Sequence, residues 1–178
     1  PAEQQSVIIH GGRIEAVRPG FIMATDLKHT DDAQIIDLSD RFVLPGLIDC
    51  HTHLETEVSA KIQLERVTLT EADLALNAAV FARRTLEAGF TTVRNLGARS
   101  RAIFALRDAV NAGKIPGPRI LVAGHPITVT GGPGDVHGFI EEVHQVLAMT
   151  GICDGADDCR RAVRLQVKRG ADVIKLMA

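Results

Sequence analysis

Leu47-Ile48-Asp49-Cys50-His51-Thr52-His53 is a short apolar run that ends in two histidines one residue apart. Pro45-Gly46 stands before it, and because proline cannot donate to a sheet ladder, a strand boundary falls at that pair. Downstream, Thr70 and Asp73 form a helix-capping signature, and Leu74, Ala78, Phe81, Ala82 and Leu86 share one helical face before Gly89. Phe90-Thr91-Thr92-Val93-Arg94-Asn95-Leu96 is a second, β-branched strand. Ser100 opens another helix, with Ile103, Phe104, Leu106 and Val110 apolar and Gly113 at its end. Ile120-Leu121-Val122-Ala123 is a third strand, followed by a long Gly- and His-rich excursion over 124–153. Asp154 with Asp157 opens a helix carrying Ala162, Val163, Gln166 and Val167 and ending at Gly170. Asp172-Val173-Ile174-Lys175-Leu176-Met177 reads as a fourth strand.

Strands alternating with helices through short loops imply parallel βα units, the α/β fold class. An open Rossmann-like sheet and a closed barrel both satisfy that pattern. No Gly-x-Gly-x-x-Gly follows the first strand, which argues against dinucleotide binding. An eight-stranded barrel typically takes ~250 residues, so four strands over residues 45–178 amount to the first half of a (β/α)8 TIM barrel. Upstream, Val7-Ile8-Ile9-His10 and Arg13-Ile14-Glu15-Ala16-Val17 flank Gly11-Gly12 as a hairpin, and Gln34-Ile35-Ile36-Asp37-Leu38 reads as another short strand. Residues 1–44 therefore form a small β module and 45–178 an incomplete barrel. Its first and fourth strands would be exposed parallel edges, so a second piece is expected to complete the fold.

The 178 residues are 46% hydrophobic and 24% charged, which excludes disorder and low complexity. No apolar run reaches the ~18–20 residues that span a bilayer. Twenty basic against 22 acidic residues leave no positive field to hold nucleic acid or anionic lipid. Cys50, Cys153 and Cys159 are too few for a disulfide framework, which fits a reducing, cytoplasmic compartment. Because the sequence starts at Pro1, a removed signal peptide stays open. Cys159 reads as core.

In an extended segment, residues i and i+2 project to the same side, so His51 and His53 bring two imidazoles towards one point. That donor set suits a divalent transition metal such as Zn²⁺. The plainer reading is a polar loop pair, and the flanking Pro45–His53 sequence tilts the balance towards metal. In a βα barrel the carboxyl ends of the strands form the active-site mouth, and these histidines sit at the end of the first strand. Asp135 and His137, in Gly131-Gly132-Pro133-Gly134-Asp135-Val136-His137-Gly138, lie on the long loop over that mouth and are expected to contact substrate. Arg94 and Asn95 end the second strand and are weaker candidates for the same mouth. The basic set Arg160, Arg161, Arg164, Lys168 and Arg169 follows a helix and reads as solvated surface.

The string Val43-Leu44-Pro45-Gly46-Leu47-Ile48-Asp49-Cys50-His51-Thr52-His53-Leu54 resembles the signature of the amidohydrolase superfamily. Ile127–Asp135 and Gly170–Lys175 are similar to its imidazolonepropionase-like and Xaa-Pro or Xaa-Arg dipeptidase-type branch. The resemblance implies a metal-dependent hydrolase with a (β/α)8 barrel and a small β-sandwich, the hairpin and the 34–38 strand being the N-terminal share of that sandwich. It implies that His51 and His53 bind the more buried of one or two divalent metals. It also implies that Lys175 reacts with CO₂ to give a carbamate bridging two metals. Carbamate formation requires the neutral amine against an ordinary lysine pKa of ~10.4, hence a desolvated, cation-adjacent site.

Two further histidines of the family and its general-base aspartate would lie beyond residue 178, so no catalytic residue of that kind is expected in the chain. His125, His137 and His144 all precede Lys175 and do not match them. The expected partners are a small-molecule amide substrate, the C-terminal half of the same enzyme and further copies of the chain. The expected reaction is hydrolysis of an amide bond in a dipeptide, an N-acyl amino acid or a cyclic amide. A non-catalytic relative that keeps the barrel as a scaffold is the alternative, and a phosphate-binding α/β domain is a third reading that leaves His-x-His unexplained.

Overall fold

A computed structural model describes residues 3–27 and 33–177. The chain divides into two compact units, Pro1–Pro45 and Gly46–Ala178. In the first, β1 (Gln5–His10) and β2 (Arg13–Pro19) pair antiparallel, with His10 opposite Arg13. Gly11 and Gly12 both hold positive φ, the left-handed pair that a two-residue hairpin turn of matching twist requires. A register irregularity falls between Ile8 and Ile9. The strand expected over 34–38 does not form, and this corrects the sequence reading. Its apolar side chains are exposed (Ile35 and Ile36 by 60% and 68%), and no strand of the described residues pairs with it. A β-rich run without a neighbouring ladder has nothing to satisfy its backbone and stays irregular.

The second unit carries a parallel sheet in the order β3 (Leu47–Thr52), β4 (Phe90–Asn95), β5 (Arg119–Val122). Helices α1 (Ile62–Thr68) and α2 (Glu71–Glu87) connect β3 to β4, and α3 (Ala102–Asn111) connects β4 to β5. The Thr70 side chain accepts from the Asp73 amide while the Asp73 carboxylate accepts from the Thr70 amide at 2.9 Å, the reciprocal cap read from the sequence. Gly89, at φ +96°, ends α2 in the left-handed conformation and turns the chain into β4. Ala78 and Ala82 of α2, Ile103 of α3, Val93 and Val122 are fully buried together, so aliphatic packing between helix and sheet holds this unit. No strand of the described residues pairs with the outer edge of β3, where Leu47 and Ile48 are exposed.

Past β5, α4 (Glu141–Leu147) and α5 (Ala156–Lys168) follow. Neither α1 nor α4 is legible in the sequence: each has seven residues and buries none, so no apolar stripe marks it. The fourth strand is reduced to a single parallel bridge between Leu176 and Ile127. Its first residue explains why. The Asp172 side chain accepts the Val122 amide at 2.9 Å and pairs with Arg107 at 3.0 Å, so a carboxylate takes a donor that a regular ladder would give to a backbone carbonyl.

Cys153 and Cys159 form a disulfide, with Cα atoms 4.8 Å apart, that ties the end of the long loop to α5. This corrects two readings: Cys159 is bonded, not a core thiol, and the sparse cysteines no longer argue for a reducing compartment. Cys50 is a free, exposed thiol. Among the described residues, no helix is long and apolar enough to cross a membrane.

Candidate metal centre at the strand ends

β3 delivers His51 and His53 to its carboxyl end. Their rings stand with centroids 5.3 Å apart and planes tilted by 54°, so the i, i+2 spacing brings them together. The Asp49 carboxylate accepts the His51 amide at 2.9 Å and fixes the backbone at the first of them. His53 Nδ1 lies 3.1 Å from the Gly97 carbonyl oxygen; a carbonyl only accepts, so Nδ1 carries the proton and Nε2 the lone pair. Neither His53 Nε2 nor either nitrogen of His51 has a hydrogen-bond partner among the described residues. Two exposed imidazoles, one with its far nitrogen already bonded to the backbone, fit a borderline divalent cation such as Zn²⁺. Among the described residues, no group of three or more His, Cys, Asp and Glu side chains is arranged to hold a metal ion, so the two histidines stand without a third such donor.

Lys175 is half-buried in the segment beside β5, where its carbonyl accepts the Ile127 amide at 2.8 Å. No hydrogen bond or ion pair among the described residues joins its ammonium to the two histidines. Asp135 and His137 are engaged inside their own loop. Asp135 accepts the Gly131 and Val136 amides, both at 2.7 Å, and the Gly131 contact foremost holds its carboxyl below the usual range. His137 Nε2–H donates to the Gly132 carbonyl at 2.9 Å. Arg94 Nε donates to the Cys50 carbonyl at 2.9 Å, and Asn95 is fully buried, so neither opens to the mouth as a free side chain. A recess of about 280 Å³ beside His53 is lined by Thr52, Glu57, Phe81 and Arg84. On α5, Arg160 and Arg161 pair with Asp157 and Asp158 as solvated surface, whereas Arg169 turns inward to Thr150 at 2.6 Å.

One residue that sequence reasoning missed holds the histidine segment in place. Glu55, 3% exposed, accepts from the Arg99 amide (2.7 Å), the Ser100 hydroxyl (2.8 Å) and the Ile103 amide (3.2 Å). Burial pushes its carboxyl up, against the pull of these donors. His125, beyond β5, is buried with Nδ1 accepting the Thr150 amide at 3.0 Å, which removes it from the metal candidates. Only its position near a strand end was readable.

Burial, then the charge of Arg169, lowers the His125 imidazole from 6.5 to about 4. The unfolded chain therefore binds the proton more readily between those values. Stability contributed by the neutral ring is whole above pH 6.5 and falls as pH drops towards 4. At about 1.36 kcal/mol per pKa unit, the wild type is expected to lose about 2–3 kcal/mol more than His125→Gln between pH 7.5 and 4.5. Urea midpoints at the two pH values check this; parallel losses in both proteins would refute it.

A parallel βα sheet that presents its polar side chains at the strand carboxyl ends is a scaffold of α/β enzymes. The chain belongs to the amidohydrolase family, whose profile matches residues 42–178. Ochratoxinase of Aspergillus niger is 33% identical over 154 residues, 76% of this chain and 31% of that relative. The imidazolonepropionase of Idiomarina loihiensis is 44% identical over 52 residues, 29% of this chain and 12% of the relative. The solved structure of a Xaa-Pro dipeptidase with methionine bound in its active site superposes with a TM-score of 0.80 at 35% identity, over 97% of this chain and 41% of that one. These neighbours are amidohydrolase TIM barrels, and the chain corresponds to their N-terminal part. It spans about a third of the length of ochratoxinase (31%).

Proposed function

We propose that the protein is a metal-dependent hydrolase of amide C–N bonds, acting on a dipeptide, an N-acyl amino acid or a cyclic amide. The convergence of His51 and His53, with His53 Nδ1 bonded away from the mouth, carries this reading. Family membership and the likeness to a Xaa-Pro dipeptidase support the substrate class. His51 and His53 would hold the cation, with Lys175, as its carbamate, a third ligand. Bound there, a divalent cation such as Zn²⁺ would supply a Lewis acid that activates water and polarises the scissile carbonyl. The chain's own residues do the positioning. Asp49 fixes the backbone at His51, the Gly97 carbonyl holds the His53 imidazole, and Asp135 rigidifies the loop from which His137 would reach substrate. The remaining ligands and a carboxylate that takes and returns the proton would come from the C-terminal half of the barrel.

Metal analysis of the full-length protein, with hydrolysis assays on Xaa-Pro dipeptides and N-acyl amino acids, tests the reading. One or two equivalents of divalent metal and turnover lost on chelation are expected. A protein that binds no metal and cleaves no amide would be the scaffold instead.

A further inference from the structure

Asn95, at the end of β4, is fully buried and bonds in two directions. Its Oδ1 accepts the Leu54 amide at 2.8 Å, on the residue next to His53. Its Nδ2 donates to the Gly97 carbonyl at 2.8 Å, the same oxygen that takes His53 Nδ1–H. One carboxamide thus grips the backbone just after the histidine and the acceptor that orients the ring. Only a side chain that both donates and accepts can do this, which aspartate and leucine, of similar size, cannot. Gly97 completes the arrangement: a Cβ there would lie 2.9 Å from His53 Cε1 and 3.2 Å from Nδ1, so the ring packs closely against a bare backbone.

We propose that Asn95 is a positioning residue for His53, fixing the tautomer and direction of the imidazole through the Gly97 carbonyl. The proposal deepens the metal-site reading above. Partners of this kind around a ligating histidine are worth about 10–100-fold in metal affinity. Asn95→Asp keeps the acceptor for Leu54 but sets a second oxygen against the Gly97 carbonyl. Gly97→Ala leaves Asn95 intact and pushes the ring off its seat.

The test uses full-length protein labelled with ¹⁵N-histidine. NMR of the metal-free form reads the His53 tautomer, Zn²⁺ affinity is measured by chelator competition, and thermal unfolding scores the fold. The wild type is expected to show Nδ1–H. Both variants should lose the single tautomer and bind Zn²⁺ about 10–100-fold more weakly. A purely structural Asn95 would lower the unfolding temperature and leave tautomer and affinity unchanged in the folded protein. Where Asn95→Asp does not fold, Gly97→Ala decides. An Nε2–H wild type, or folded variants with the wild-type tautomer and affinity within twofold, overturns the proposal. A wild type that binds no Zn²⁺, yet shows an Nδ1–H tautomer that the variants lose, upholds the positioning role and removes the metal reading.

Discussion

His51→Ala and His53→Ala, each made in the full-length protein, are expected to lose tightly bound divalent metal and at least about a hundredfold in amide hydrolysis. The bound sets the scale: merely disturbing a partner of a ligating histidine costs 10–100-fold, and removing the ligand costs more. Each imidazole supplies one of few donors, and no third His, Cys, Asp or Glu stands ready among the described residues to replace it. Lys175→Ala should act in the same direction if its carbamate is the third ligand proposed above. Metal content by atomic spectroscopy, alongside kcat/KM, separates the cases. Metal and rate retained by both histidine variants would end the assignment. Retention by Lys175→Ala alone would confine the site to the histidines and remove the carbamate.

Glu55→Leu should cost about 3–5 kcal/mol of folding stability, the largest loss anticipated from a single substitution near the site. Three donors, the amides of Arg99 and Ile103 and the Ser100 hydroxyl, converge on this carboxylate in a place that water does not reach. Leucine fills the volume and satisfies none of them, and an unsatisfied buried donor costs about 1–3 kcal/mol. The carboxylate also sits at the start of α3, where the unpaired amides of the first turn favour negative charge. Glu55→Gln keeps one acceptor oxygen and should lose about half as much. Urea denaturation measures both. A Glu55→Leu unfolding free energy within about 1 kcal/mol of wild type would show that the loop does not depend on this anchor.

Both predictions concern residues that differ in how far they could be read from the chain alone. The convergence of His51 and His53 was legible because it follows from period-two geometry within three residues. Glu55 was not, because its partners lie 44–48 residues away and nothing local marks it. Asn95 is legible only as a strand-end residue: its side chain turns into the protein to grip Leu54, 41 residues away, instead of facing the mouth.

Short-range physics sets the elements that near neighbours in the chain control. Apolar spacing and the Thr70–Asp73 cap defined α2, the Gly11-Gly12 turn defined the hairpin, and alternating strands and helices defined a parallel α/β fold. Long-range packing settled the rest. It left residues 34–38 without a ladder, let the Asp172 side chain occupy an amide that a fourth strand would use, and joined Cys153 to Cys159. The reason is common to all three. A hydrogen bond or a disulfide needs a particular partner at a particular distance, and which partner arrives is settled by the packing of the whole unit, not by neighbours in the chain.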